Sequence, residues 1–225
     1  MLLRTTLSII GIALGLLASA QEIDKTKLAL DVSAANEANN VKLKQYIWKL
    51  KLDGYVNKEL KVTTLTEMKF GPDGKLVATP IDAKTTVQAK PGVRGRMQQS
   101  AAEDNAEYMA KAADVMAQYA YMSKGQLVDF FDKATVTTDG KVITATAKNV
   151  MQAGDEMTIL IDPVTHLFIR KTFKAKSGAD PIEGTIDYAA FATTGINHVS
   201  KSWLMMPAKA MQVNTENIDY TLRVQ

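Results

Sequence analysis

The residues of this chain that could do chemistry are few and scattered. There is no cysteine, which removes thiolate nucleophiles, thiolate metal sites and disulfides together. The two histidines, His166 and His198, share no H-x-x-x-H or carboxylate–histidine spacing of the kind a metal needs. Both read as surface residues, His166 in a turn and His198 in a loop. Ser200 and Ser202 lie near His198, but without the strand–turn–helix elbow that exposes a catalytic serine. Asp53, Asp162 and Asp187 fall at strand ends, where aspartate commonly makes turns. On these grounds no enzyme, no metal and no cofactor is expected. One small basic group stands out: Lys90, Arg94 and Arg96, around a loop spelled Pro91-Gly92-Val93-Arg94-Gly95-Arg96. The two arginines could contact an anion such as a lipid headgroup or an acidic partner. The same residues equally describe a solvated basic loop.

What remains is apolar chemistry. Trp48, Leu50, Leu52, Met68, Phe70, Ile159, Ile161 and Trp203 occupy alternating positions of predicted strands. Met109, Met116 and Tyr119 fall on one face of a predicted helix, with Met97 and Met122 near its ends. Ten of the eleven methionines lie beyond residue 20. Methionine is flexible and polarizable and suits surfaces that adapt to varied apolar ligands. These residues therefore describe either a greasy cavity under a methionine-lined lid or an ordinary filled core, and the spacing alone fits both.

The elements that must position them can be read from periodicity. Asp24 caps a helix carrying Leu28, Val32, Ala35, Asn39 and Leu43. The period then becomes two over Trp48 to Leu52 and over Val62 to Phe70. Gly71-Pro72-Asp73-Gly74 turns the chain into a third strand from Leu76 to Ile81. The spacing Ser100 to Glu103 predicts a capping box at the start of the longest helix, and Ser123 to Gln126 a second box opening a short one. Strands resume at Val142 to Ala147, Met157 to Ile161, Leu167 to Phe173, Thr185 to Phe191, Val199 to Met206 and Met211 to Arg223. The architecture expected is α+β: one long antiparallel sheet with a helix pair inserted midway. No linker divides residues 21–225, so a single domain is expected.

The first twenty residues have the three parts of a secretion signal. Arg4 gives the charge, Leu7 to Leu17 the apolar run, and Ala18-Ser19-Ala20 the small residues a signal peptidase fits. The run is short for a spanning helix. The processed chain should begin at Gln21, lie in the periplasm and not span a membrane. The formal charge of +3 falls to about +2 without Arg4, and no basic stripe is present, which argues against nucleic acid.

The order of elements behind a signal resembles the lipoprotein carriers of the bacterial envelope (LolA/LolB-like). The residues that carry the resemblance are Met157-Thr158-Ile159-Leu160-Ile161-Asp162-Pro163-Val164-Thr165, the strand Leu167 to Phe173, and the pair Ile186-Asp187-Tyr188 and Ile218-Asp219-Tyr220. The chain is also similar to exported bacterial proteins of unassigned function that share Tyr46-Ile47-Trp48-Lys49, Gly92 to Arg96 and Asn214 to Tyr220. The resemblance implies a curved, unclosed antiparallel sheet (a half-barrel) with the inserted helix pair as its lid, and a monomeric periplasmic carrier of a hydrophobic ligand such as a lipid or acyl chain. An envelope protein-interaction module, a glycan-binding sheet or a hydrolase are the other classes the sequence leaves open. Intact-mass measurement on the exported protein should give Gln21 as the first residue; recovery of the full chain from the membrane fraction would contradict that.

Overall fold

The computed structural model describes residues 23–85 and 93–223. The segment read as an export signal lies outside them, as does Lys90. Among the described residues three α-helices, α1 (Lys25–Leu43), α2 (Val93–Ala120) and α3 (Lys124–Lys133), accompany ten strands. The first three strands are β1 (Tyr46–Val56), β2 (Glu59–Phe70) and β3 (Leu76–Thr85). After α2 and α3 come β4 (Thr135–Thr138), β5 (Ile143–Lys148), β6 (Glu156–Ile161) and β7 (Phe168–Ser177). β8 (Asp180–Phe191), β9 (Ile196–Met206) and β10 (Met211–Leu222) end the series.

All ten strands form one unclosed antiparallel sheet in the order β3-β2-β1-β10-β9-β8-β7-β6-β5-β4. The chain starts in the middle at β1, hairpins outward to the β3 edge, and reappears at the opposite edge as β4. It then meanders back until β10 pairs with β1. The two inserted helices therefore have to carry the chain across the whole face. The 28 residues of α2 span about 42 Å at 1.5 Å per residue, close to the roughly 43 Å breadth of ten strands. The side chains follow that path: Met109 passes over Gly54 of β1, and Tyr119, ten residues on, stacks on Phe173 of β7 with ring centroids 4.1 Å apart.

Two sequence expectations are corrected here. Arg94 and Arg96 lie within α2 and not in a loop, and Ser100 with Glu103 is internal to it. A capping pair is a local signal, whereas an established helix gains a hydrogen bond for each residue added. Only Gly95 opposes that extension, at a cost of about 1 kcal/mol. Strand β4 escapes the periodicity because four residues are too few to show one. Two local signals do hold. Asp24 accepts a hydrogen bond from the Lys27 amide at 2.9 Å, and Ser123 and Gln126 cap α3 reciprocally.

Inner-facing side chains of β5 to β10 meet the three helices in the main core, which includes Ile159, Ile161, Phe173, Ile186, Leu204, Phe130 and Phe131. The outer face is polar, as an antiparallel sheet with one solvated side requires. Lys51, Glu216, Lys201, Asp187 and Arg170 form one cross-strand row of alternating sign. Gly184 is required where β7 and β8 pair: a Cβ there would fall on the Phe173 ring. Gly184→Ala should displace that ring from Tyr119 and lower stability by about 1–3 kcal/mol, measured by denaturant unfolding; an unchanged midpoint would contradict the packing.

Candidate functional site

Along most of its length β9 pairs with β10, but the ladder stops at Lys201–Glu216. Beyond it the strands separate, and side chains bridge the fork. Asn39 of α1 uses both halves of its amide: Nδ2 donates to the Asn197 carbonyl at 2.6 Å and Oδ1 accepts from the Asn197 amide at 2.8 Å. Asn217 donates to the Val199 carbonyl at 2.9 Å. A polar residue on the buried stripe of α1 thus stands in for the missing strand partner, as buried backbone groups require.

A second apolar cluster fills the fork. Leu43, Trp48, Met68 and Ile196 are buried there, with Tyr46, Leu50, Phe70 and Tyr220 packed around them. His198 lies in β9 and is 4% exposed, so the expectation of a surface histidine in a loop is corrected. Its Nδ1 is 2.6 Å from the Tyr220 hydroxyl, and its ring meets Trp48 edge-on at 5.0 Å. Burial holds its pKa down at about 4. Alternation from Val199 to Met206 could not reveal this, because the strand begins three residues earlier, at Ile196.

Beside this cluster opens a cavity of about 610 Å³, within the size range of small-molecule pockets. Its apolar lining comes from Val41 and Leu43 of α1, Phe70 and Leu76 of the β2–β3 hairpin, and Tyr121, Met122 and Leu127 at the α2–α3 joint. Polar groups including Ser33, Asn36, Glu37, Lys44 and Lys124 complete it. Tyr121 is 53% exposed, yet desolvation pushes its phenol up. Both hold when a ring reaches from the open side into a hollow. Burial also raises the phenols of Tyr188 and Tyr220, and the Tyr121 charge adds to each.

The residues selected from sequence divide among three places. Phe70 lines the cavity. Trp48, Leu50 and Met68 belong to the adjoining cluster. Leu52, Met109, Met116, Tyr119, Ile159 and Ile161 pack in or against the main core. Trp203 is not brought to this set: it lies half-buried on the outer face, in a shallow groove with Lys51, Asp53, Lys201 and Glu216. The anion contact at Arg94 and Arg96 rests on side chains outside the described residues. Among the described residues no three His, Cys, Asp or Glu side chains come together to hold a metal. None of the described helices is long and apolar enough to cross a membrane.

The joint that walls the cavity is held by a residue the sequence did not flag. Lys171 of β7 is fully buried, and its Nζ donates to the Tyr119 and Ala120 carbonyls at 3.2 and 3.0 Å. Those are terminal carbonyls of α2, which have no partner within the helix and carry the negative end of its dipole. The ammonium also sits 3.9 Å from the Phe168 ring centroid, and the Tyr188 hydroxyl donates to the Ala120 carbonyl. On the other side Tyr119 donates to Asp155 at 2.5 Å, a carboxylate that also accepts the Val150, Met151 and Gln152 amides. A lysine at a strand position that alternation assigns inward is the signal that could have found this clamp.

No family model matches the chain, and no curated protein matches it either. Solved structures do match. A DUF1329 family protein from Desulfovibrio piger is 14% identical, with 90% of this chain and 95% of that one covered at a TM-score of 0.41. A LolA superfamily protein from Nitrosomonas europaea is 10% identical, covering 88% and 94%, at 0.35. A putative outer membrane lipoprotein-sorting protein domain from Vibrio parahaemolyticus is 10% identical, covering 87% and 94%, at 0.38.

Burial brings the Lys171 pKa down from 10.5 to about 7. Between these values the unfolded chain binds a proton that the folded chain does not, so stability rises with pH from about 7 toward 10. Urea unfolding should show a rise on the order of 2 kcal/mol between pH 7 and 9, and Lys171→Met should remove it. A wild type with equal stability at both values would contradict a desolvated lysine.

Proposed function

We propose that this protein is a carrier or binder of a hydrophobic ligand of the lipid or acyl-chain class, working in the bacterial envelope. The observation that supports this best is the cavity of about 610 Å³ between α1, the β2–β3 hairpin and the α2–α3 joint, with its apolar lining and polar surround. The main core is packed with side chains, so the ligand is assigned to the cavity and not to the space under the centre of α2. Leu43, Phe70, Leu76, Tyr121, Met122 and Leu127 are then the apolar contacts. Trp48, Leu50 and Met68 form the wall behind Leu43 and Phe70. Met109, Met116 and Tyr119 hold α2 in place and would meet ligand only if the helix lifted.

Envelope location rests on the export signal read in residues 1–20, and the absence of catalysis on the scatter of ionisable groups. A lipid-class ligand fits better than a small polar one because the charged lining groups Glu37, Lys44 and Lys124 are exposed to water, while the hairpin and the joint contribute aromatic and aliphatic groups.

The test is binding of the neutral dye N-phenylnaphthylamine, whose fluorescence rises in an apolar site. Wild type should bind it, and Leu76→Asp should weaken binding about tenfold or more, because a carboxylate facing hydrocarbon is costly. Leu76 is 39% exposed on an edge strand, so the melting temperature should change little. Dye binding equal in wild type and variant, or no binding by wild type, would overturn the assignment.

A further inference from the structure

The mouth of the cavity combines exposed apolar side chains with cations that form no ion pair among the described residues. Val41 is 58% exposed, Tyr121 53% and Leu76 39%, and all three line the same opening. They come from three separate elements, so the exposed patch is a product of the tertiary fold. Lys44 and Lys124 line it as well, and Arg223 reaches the same rim, donating to the Phe70 carbonyl at 2.9 Å. Among the described residues none of these three cations forms an ion pair, although the sheet's outer face pairs its lysines and arginine repeatedly. Glu37 is the one carboxylate in the lining, and the nearby Asp73 is matched by Lys75 at 3.8 Å.

We propose that this rim is a docking surface for an anionic lipid bilayer, seating the cavity mouth against the membrane. An acidic surface of either kind would attract the cations. The exposed apolar residues favour a bilayer: aliphatic groups enter the acyl boundary, a tyrosine sits at the headgroup level, and lysines face anionic headgroups. Docking in this orientation also removes the step in which an apolar ligand would cross water between bilayer and cavity. The proposal rests on the ligand-carrier reading in that one respect, while the charge and exposure of the rim stand without it.

Co-sedimentation with vesicles of phosphatidylcholine, with and without phosphatidylglycerol, tests it on the processed full chain, with dye binding measured in parallel. Wild type should sediment with the phosphatidylglycerol vesicles and be released by salt. Lys44→Gln with Lys124→Gln should lower partitioning about fivefold for each charge removed, and Val41→Asp should lower it further, with melting temperature unchanged; dye binding is read on wild type. Wild type that binds dye but stays in the supernatant would overturn docking and leave the carrier reading intact. Vesicle binding that ignores the lysine changes would overturn it too. Soluble polyglutamate that binds as tightly as the vesicles, with Val41→Asp without effect, would assign the rim to an acidic protein and overturn the membrane. Docking that behaves as stated in a protein that binds no dye would support this surface and remove the carrier reading instead.

Discussion

Among the described residues, an open sheet of ten strands has one apolar face and three α-helices with which to cover it. That mismatch governs the rest of the structure. The chain leaves one edge at β3 and returns at the other as β4, so α2 and α3 must run across the face instead of lying along it. Cover is complete over β5 to β9, where inner side chains such as Ile159, Ile161, Ile182 and Ile186 are fully buried. It thins toward β2, whose inner residues are mostly half-buried, and β3 is exposed. The cavity lies where cover ends. It follows from the number and path of the helices, and no single residue creates it.

The helix crossing is fixed by polar anchors at one end. Lys171, Tyr188 and the Tyr119–Asp155 pair all engage the last turn of α2 or the carbonyls that close it. A buried lysine with only carbonyls and two aromatic rings, Phe168 and Tyr188, for company is costly in isolation. It is tolerated because the helix terminus offers free carbonyls and a negative dipole end. The Tyr119 ring on Phe173, which needs Gly184 beneath it, adds an apolar contact at the same point. The joint that walls the cavity is therefore positioned by a few groups whose protonation matters.

The β9–β10 fork solves a different problem. Sheet curvature pulls these strands apart, leaving backbone groups that must be satisfied. Asn39 and Asn217 do this from side chains, while His198 bonds the Tyr220 hydroxyl and the aromatic cluster around Trp48 seals the gap. The same splay makes room for α1, whose last turns then form one wall of the cavity. Stability and the candidate site share these residues, so changes at Trp48 or His198 act on both.

The local signals in the sequence were sufficient for the order of the elements other than β4, the inserted helices, the α+β class and the inward faces of most strands. Alternation in Trp48 to Leu52 and the caps at Asp24 and Ser123 are near-neighbour properties, which survive folding because the sheet and helices use them. The start of α2 was lost because a helix extends past a local cap when nothing stops it. Trp203 was misjudged for another reason. In β9 the sequence Ser202-Trp203-Leu204 alternates in either sense, and it is Leu204 and Met206 that face the core. Whether the apolar residues enclosed a void or filled it depended on the distance between α1, the hairpin tip and the α2–α3 joint. Those segments are far apart in sequence, so only tertiary packing could bring Val41, Leu76 and Tyr121 to one opening. The sequence by itself determined which side chains were greasy enough to line a cavity; the path of α2 across the sheet decided which of them became core and which were left to line it.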